Sequence, residues 1–216
     1  MDEPLSNLDA GLRVQMRGEL TRLHEQLGVT TLYVTHDQVE AMTMGDRIAI
    51  MDRGRLQQID APEAIYARPA NLFVAAFVGS PRMNLVDGAL VPANGRPAVS
   101  CLETTLELPP ELHEGAARAP DSAVVVGVRS EDLRWAREAP PEATVRLAGD
   151  AEIVEPLGAE TLVTVAVGNH RLICRFPPRC GVAPGDGVEV ALDPAHLHVF
   201  EKEAGDSLLA RERRGS

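Results

Sequence analysis

Three side chains that can do phosphate chemistry stand in two short segments of this sequence. Asp2 and Glu3 are adjacent carboxylates at the predicted end of a strand, and His36 follows a second apolar run. A strand-end carboxylate can hold the Mg²⁺ of a nucleotide, because hard cations prefer oxygen ligands. A neighbouring glutamate can polarise an attacking water, and a histidine can hydrogen-bond the γ-phosphate. Together the two segments contain the types of side chain that nucleotide hydrolysis uses.

The residues around these side chains resemble one protein family. Residues 2–9 (DEPLSNLD) resemble the Walker B motif and D-loop of ABC transporter ATPases, and residues 32–42 (LYVTHDQVEAM) resemble that family's switch-histidine segment. The resemblance implies that Asp2 holds Mg²⁺ through water, that Glu3 activates water and that His36 contacts the γ-phosphate of ATP. It also implies a contact across an ATPase dimer by the D-loop residues, which are Ser6, Asn7, Leu8 and Asp9.

Motifs that precede Walker B in this family are missing from the sequence. It contains no Gly-x-x-x-x-Gly-Lys-[Ser/Thr] phosphate loop and no Leu-Ser-Gly-Gly-Gln-type signature. We therefore expect the chain to correspond to the C-terminal part of a longer ATPase and not to hydrolyse ATP alone. Its α/β part would then expose apolar helix faces and a sheet edge.

The amino-acid composition argues against some kinds of binding partner and indicates the cellular compartment. The net charge of −11 and the aromatic content of 3% argue against a nucleic-acid partner, because such binding relies on clustered basic residues and stacking platforms. No apolar run reaches the roughly eighteen residues of a membrane span. The three cysteines lack metal-ligand spacing and indicate idle thiols in a reducing compartment. We predict a cytoplasmic chain, which the family resemblance places peripherally on the cytoplasmic face of the cell membrane.

Residues 1–78 are predicted to form an α/β fragment of a P-loop (RecA-like) ABC nucleotide-binding domain. Apolar residues recur at spacings of three and four between Asp9 and Gly28, which predicts an amphipathic helix with these residues as its caps. Val29–Val34 is predicted to be a buried parallel strand, and Asp37–Met44 a second helix. The other predicted elements are a hairpin over 47–60 and short helices beginning at Ala61 and Ala70.

Residues 79–203 are predicted to form a second, all-β domain. Short β-rich runs separated by Gly and Pro indicate a small barrel or sandwich. The candidate strands are Ala98–Leu102, Ala123–Arg129, Ala143–Leu147, Ala151–Leu157, Thr161–Val167, His170–Phe176, Gly187–Leu192 and Leu197–Phe200. Pro109–Pro120 and Arg137–Pro141 are interpreted as loops, and 204–216 as a flexible tail.

This second region also carries a family resemblance. Residues 79–84 (GSPRMN), 127–133 (GVRSEDL), 154–161 (VEPLGAET) and 196–200 (HLHVF) resemble the C-terminal regulatory domain of sugar-type import ATPases. That domain is a TOBE-type OB-fold extension, so the resemblance implies an OB-fold barrel here. Over roughly residues 1–202 the chain resembles most the ATPases of the maltose, multiple-sugar and glycerol-3-phosphate importers.

Two features of the second region can be interpreted either as a binding site or as a purely structural element. His196 and His198 alternate along a predicted strand and could share a metal ion, but no third ligand lies nearby, which favours surface or partner contacts. Gly158–Glu160 is either a sensing loop or a plain hairpin turn.

The resemblance implies the ATP-hydrolysing subunit of an ABC importer for sugars or related solutes, with ATP and Mg²⁺ as cofactors. It implies a homodimer or paired ATPase subunit, permease subunits in the inner membrane and, indirectly, a solute-binding protein. One alternative is a catalytically inactive dimerisation, regulatory or ligand-sensing module, which the missing phosphate loop favours. Another is an OB-fold nucleic-acid binder, which the net charge disfavours.

Overall fold

The computed structural model of the chain describes residues 1–139 and 145–209. The chain forms two compact units, Met1–Ala70 and Asn71–Ser216. This division differs from the predicted boundary after residue 78 by one short helix, which the second unit contains. None of the described helices is long and apolar enough to span a membrane.

The first unit combines helices with one hairpin. Its elements are α1 (Ala10–Leu27), α2 (Gln38–Met44), β1 (Ile48–Asp52), β2 (Arg55–Asp60) and α3 (Pro62–Ala67). Strands β1 and β2 pair antiparallel. The side chain of Asp9 caps the start of α1, and Gly28 ends the helix in the left-handed conformation. The predicted caps of this helix are therefore confirmed.

The first unit buries few apolar side chains. Helix α1 contains no buried residue, and its Leu12, Leu23 and Leu27 are 40%, 49% and 59% exposed. The expected exposure of an apolar helix face is therefore observed.

The prediction of a buried strand over Val29–Val34 is wrong. The segment makes an isolated parallel bridge, between Val34 and Asp2, and its Leu32 is 80% exposed. A parallel strand becomes buried when neighbouring strands and helices cover it on both faces. Within the described residues, Met1–Glu3 is the neighbour that this segment pairs with.

The described residues of the second unit form a barrel, a sheet and two α-helices. Its elements are α4 (Leu72–Phe77), β3 (Asn84–Ala93), β4 (Arg96–Cys101), β5 (Thr104–Glu107), α5 (Pro110–Arg118), β6 (Ala123–Val128), β7 (Leu133–Trp135), β8 (Val145–Pro156), β9 (Thr161–Val167), β10 (His170–Phe176), β11 (Gly187–Leu192) and β12 (His198–Glu201). Strands β10-β7-β11-β8-β9 close into a barrel, and β12-β6-β3-β4-β5 form a sheet. The predicted small barrel is therefore confirmed.

One hydrophobic core extends through the barrel and the sheet of the second unit. In β9, buried residues alternate with partly exposed ones along the whole strand, as expected where one face of a strand is packed. The rings of Trp135 and Phe176 stack with centroids 5.7 Å apart, and Phe176 is fully buried. Helix α4 belongs to this unit because its Leu72 and Ala75 pack with Phe200 of β12.

Two predictions about secondary structure in this unit need correction. Pro109–Pro120, interpreted as a loop, contains α5, because Pro110 stands at the first helical position, where proline is tolerated, and Leu112 is buried. Strands β3, β5 and β7 are absent from the sequence prediction. Strand β3 contains Asp87, Gly88 and Pro92, residue types that lower strand propensity.

The predicted flexible tail overlaps the packed structure. Leu208 is 4% exposed, and its N–H donates to the carbonyl of Val199 at 2.8 Å. Residues 206–208 are therefore part of the fold, because they extend the edge of β12. The rest of the predicted tail from residue 210, and residues 140–144 of the predicted loop and strand, lie outside the described residues.

Candidate active site

Three backbone hydrogen bonds align the first residues of the chain with the segment that precedes His36. The N-terminal ammonium donates to the carbonyl of Leu32 at 2.9 Å. The N–H of Val34 donates to Met1, and the N–H of Glu3 donates back to Val34, both at 2.9 Å. Because the pairing is parallel, the two segments end on the same side, and their polar residues meet there.

The turn after Glu3 leads directly into α1. Glu3 has a φ of 41°, a left-handed conformation that is uncommon for a residue with a side chain. The hydroxyl of Ser6 donates to the carbonyl of Glu3 at 2.9 Å, and Leu5 is buried beneath the turn. Asp9 accepts the N–H of Leu12 at 2.9 Å. The turn is therefore closed at both ends by its own side chains.

Glu3 and His36 form an ion pair. The Oε1 atom of Glu3 lies 3.0 Å from Nδ1 of His36, and both side chains are exposed. The hydrogen bond that His36 donates to Glu3, followed by the negative charge of Glu3, raises the pKa of His36 above the ordinary value. The structure thus brings together two of the three residues predicted to carry the chemistry, and Asp2 precedes Glu3 in the same segment.

Asp37 anchors α2 and binds Arg13. Its Oδ1 accepts the N–H groups of Val39 and Glu40, at 2.8 and 3.2 Å, which is the arrangement of a helix N-cap. Its Oδ2 accepts NH1 of Arg13 at 3.1 Å. Burial raises the pKa of Asp37, but the backbone hydrogen bonds and Arg13 outweigh burial, so this pKa lies below the ordinary value.

Glu40 is a buried carboxylate with two hydroxyl donors. It is 3% exposed, and its Oε2 accepts the hydroxyl of Tyr33 at 3.0 Å and that of Thr35 at 2.7 Å. Burial, followed by the hydrogen bond to Glu40, raises the pKa of Tyr33 to about 12. The phenol therefore stays protonated and remains a donor to this carboxylate at neutral pH.

Two of the residues around His36, Arg13 and Glu40, are not among the site residues predicted from the sequence. Helical periodicity places Arg13 off the apolar face of α1 and predicts that it is solvated, whereas its side chain bonds to Asp37. Glu40 follows the N-cap Asp37 by three residues, a spacing known from capping motifs, so the sequence contains a signal for it. No signal in the sequence pairs Arg13 with a residue of another helix.

A small cleft gathers the polar side chains of this unit. It is lined by Glu3, Ser6, Arg13, Thr35, His36, Asp37 and Glu40. The cleft combines the acceptor oxygens of Glu3 with the ring nitrogens of His36, groups that can bind an attacking water and an oxygen of a phosphate.

The two histidines considered as metal ligands do not share a strand. His196 ends the turn Pro194–His196, and its Nδ1 lies 3.0 Å from Oδ1 of Asp132. His198 belongs to β12 and stacks on Phe200, and burial lowers its pKa to about 4. Throughout 1–139 and 145–209, no group of three His, Cys, Asp or Glu side chains could hold a metal ion.

Family models match the second unit. A model described as the MalK OB fold domain matches residues 79–133, and one described as the TOBE domain matches residues 126–200. The two matches together extend from just after α4 to β12. The OB-fold and TOBE-type prediction for this region is therefore confirmed.

Curated relatives match almost the whole chain. The trehalose/maltose import ATP-binding protein MalK of Thermococcus litoralis is 49% identical over 214 residues, which cover 96% of this chain and 56% of the relative. The sn-glycerol-3-phosphate import ATP-binding protein UgpC of Paraburkholderia xenovorans is 42% identical, covering 94% and 55%. The osmoprotective compounds uptake ATP-binding protein GgtA of Synechocystis is 40% identical, also covering 94% and 55%.

The chain spans about half the length of the curated relatives it matches. The matches cover 94–96% of this chain, so residues of both units contribute to the similarity. An ABC transporter ATP-binding protein of Sinorhizobium fredii matches with 40% identity over 94% of the chain. The chain is therefore a homologue of the ATP-binding subunits of ABC importers, and its residues 79–200 carry the MalK OB fold and TOBE domains.

Proposed function

We propose that this chain is part of the ATP-hydrolysing subunit of an ABC importer that takes up sugars or related solutes. The observation that carries the proposal is the pair of Glu3 and His36, in a chain whose relatives are named as import ATP-binding proteins. The names of the relatives support transport, and the pair supports hydrolysis. The transported solute depends on the other subunits of the importer.

The residues at the end of the Met1–Glu3 segment fit a magnesium–nucleotide complex. Mg²⁺ commonly takes one or two protein carboxylates and completes its coordination with water and phosphate oxygens. The exposed carboxylate of Asp2 is such a ligand, and it would hold the ion through water. When bound, the ion supplies positive charge to the phosphate groups.

Glu3 and His36 have complementary tasks in this proposal. The raised pKa of His36 favours an imidazolium beside the ionised Glu3 carboxylate. An ionised carboxylate can accept the proton of an attacking water. An imidazolium can donate to an oxygen of the γ-phosphate and stabilise the charge that develops on it. The pair therefore keeps a base and a donor within 3.0 Å of each other.

We also propose how the chain assembles with other subunits and where in the cell it acts. The D-loop residues Ser6, Asn7, Leu8 and Asp9 would contact a paired ATPase subunit, and the OB-fold and TOBE regions of two copies would associate. Permease subunits in the inner membrane and a solute-binding protein would complete the importer. The chain would then act peripherally, on the cytoplasmic face of the membrane.

A second candidate is a catalytically inactive dimerisation, regulatory or ligand-sensing module. The distribution of buried residues favours it, because the second unit holds a large apolar core whereas α1 of the first unit has no buried residue. Such a module would keep its fold and its partner without hydrolysing nucleotide.

Calorimetry of the 216-residue chain with ATP and Mg²⁺ is the first test. We expect no measurable binding, since the sequence lacks the phosphate loop that grips the nucleotide. Tight binding that Asp2→Ala and His36→Ala abolish would show that another element of this chain grips the phosphates.

A chimera tests hydrolysis directly. The part of the Thermococcus litoralis relative that this chain does not span is joined to the chain in one polypeptide. We expect ATP hydrolysis by the chimera and its loss in the Glu3→Gln and His36→Ala variants. Glu19→Gln, on an exposed face of α1, is the matched control and should leave hydrolysis unchanged. Hydrolysis at equal rates in all variants would show that Glu3 and His36 do not carry the chemistry, and a folded chimera that hydrolyses no ATP would favour the second candidate.

A further inference from the structure

Arg13 connects the D-loop turn with the segment that carries His36. Its NH2 donates to the carbonyl of Leu8 at 3.1 Å, and its NH1 donates to Oδ2 of Asp37 at 3.1 Å. Its Nε is buried and lies 4.0 Å from Oε1 of Glu40. A single planar guanidinium therefore spans both segments, which a flexible ammonium does less well because it lacks the rigid fork of donors.

The contact with Asp37 acts on the start of α2. The two carboxylate oxygens of Asp37 have different partners: Oδ1 caps the helix, and Oδ2 binds Arg13. Hydrogen bonds between ionised partners are stronger than neutral ones. Arg13 therefore holds the cap in the orientation in which it accepts the N–H groups of Val39 and Glu40.

Hydrogen bonds fix the backbone on both sides of His36. The Thr35 hydroxyl accepts the N–H of Asp37 at 3.0 Å and donates to the buried carboxylate of Glu40. Residues 35 and 37 are thereby tied to each other and to α2. The connection between Asp37 and Arg13 therefore joins His36 to the turn, in addition to the backbone pairing of Val34 with Met1–Glu3.

We propose that Arg13 is a positioning residue that couples the turn Ser6–Asp9 to the segment Thr35–Glu40, so that His36 and the turn move as one body. The relevance of this coupling to catalysis rests on the proposed function. The coupling itself is a property of the chain without nucleotide, so it can fail while the proposed function stands, and the reverse also holds.

Amide hydrogen exchange, followed by NMR on the full 216-residue chain, tests the coupling. We expect Arg13→Ala to speed exchange of the Val39 and Glu40 amides about tenfold, because a hydrogen bond to a charged group is lost and α2 opens locally. Arg13→Lys should give a smaller increase. The matched control is Arg22→Ala, which removes an exposed ion pair with Glu19 on the same helix and should leave these rates unchanged.

The β1–β2 hairpin is the internal reference. A general loss of stability in Arg13→Ala would speed exchange in the hairpin as much as in α2, and this result would overturn the proposal. Unchanged exchange at Val39 and Glu40 would overturn it as well, and so would a lack of protection at these amides in the parent chain.

If the Arg13→Ala variant does not fold, the Asp37→Asn variant tests the coupling instead. Asparagine caps a helix about as well as aspartate, so this variant retains the cap and loses the charged partner of Arg13. We expect it to speed exchange at Val39 and Glu40 without affecting the hairpin. Exchange rates equal to those of the parent chain would contradict the coupling.

Discussion

Oε1 of Glu3 lies 3.0 Å from Nδ1 of His36. The two residues come from different segments, which meet because Met1–Glu3 pairs in parallel with the chain up to Val34. The ion pair is therefore a product of backbone pairing. It explains why the pKa of His36 is raised although the ring is exposed.

Glu3→Gln should lower the pKa of His36 towards the ordinary histidine value, because the variant removes both the charge and the strongest hydrogen-bond acceptor beside the ring. In the parent chain a raised pKa means that the pair stabilises the fold at pH values below the unfolded pKa. This contribution disappears as the pH rises through the folded pKa. NMR titration of the ring signals measures the shift.

Glu19→Gln serves as the control for this titration, since its carboxylate pairs with Arg22 on the exposed face of α1. Glu19→Gln should leave the pKa of His36 unchanged. Equal His36 pKa values in the parent chain and in Glu3→Gln would show that the ion pair does not persist in solution.

The second unit should lose stability as the pH falls from about 6.5 towards 4. Burial, together with the charges of Arg129 and His196, lowers the pKa of His198 to about 4. His198 therefore binds a proton less readily in the folded state than in the unfolded state. The unfolded state then binds more protons, and the free energy of unfolding decreases by about 2 kcal/mol between pH 7 and pH 5. Urea unfolding followed by the fluorescence of Trp135 measures this change.

His198→Gln should remove most of this pH dependence, because glutamine does not titrate. His24→Gln, in α1 of the first unit, is the control and should retain it. A His198→Gln variant as pH-dependent as the parent would assign the effect to other groups. Asp132 is not one of them, because burial raises its pKa and a raised carboxyl pKa increases stability as the pH falls.

Gly115→Ala should destabilise the second unit. A Cβ at this position of α5 would lie 1.8 Å from the carbonyl oxygen of Leu208, so the backbone of residues 206–208 would have to move. Overpacking of this kind costs about 3 kcal/mol, and the better helix propensity of alanine offsets about 1 kcal/mol. We expect a net loss of about 2 kcal/mol in the free energy of unfolding.

Gly187→Ala is the control for this substitution, because no atom lies within 4 Å of a Cβ built there. Urea unfolding of this variant should differ from the parent by no more than about 0.5 kcal/mol. A tolerated Gly115→Ala would mean that residues 206–208 do not pack on α5 in solution.

Asn84→Asp should destabilise the second unit, although the two side chains are almost equal in size. Asn84 is buried, and its amide donates to the carbonyls of Val128 and Ile173 at 3.2 and 2.9 Å. Its Oδ1 accepts the N–H of Ile173 at 2.7 Å. Aspartate would aim a carboxylate oxygen at two carbonyls, and unmade hydrogen bonds of this kind cost about 1–3 kcal/mol each.

The same substitution at Asn94 provides the comparison. Asn94 is exposed in a turn and has a φ of 51°, which aspartate tolerates as well as asparagine. Thermal unfolding should therefore separate Asn84→Asp from Asn94→Asp. Similar melting temperatures for the two variants would contradict the bridging role of Asn84 between the sheet and the barrel.

Local signals in the sequence correctly predict several elements. Asp9 and Gly28 mark the ends of α1 because capping depends on a few neighbouring residues. Strands β9, β10 and β11 have the predicted bounds, since Gly and Pro interrupt the chain on either side. The prediction fails at α5, where two consecutive prolines indicate a loop and the burial of Leu112 decides for a helix.

The sequence by itself determined the residue types of the candidate site, the order of its motifs and the barrel class of the second unit, because these depend on local spacing and composition. The tertiary structure alone decided that Arg13 binds Asp37, that Glu40 is buried beside Thr35, and that Val29–Val34 lacks a full sheet around it. Arg13 and Asp37 are 24 positions apart, and the burial of Glu40 and of Val29–Val34 depends on how whole helices and strands pack.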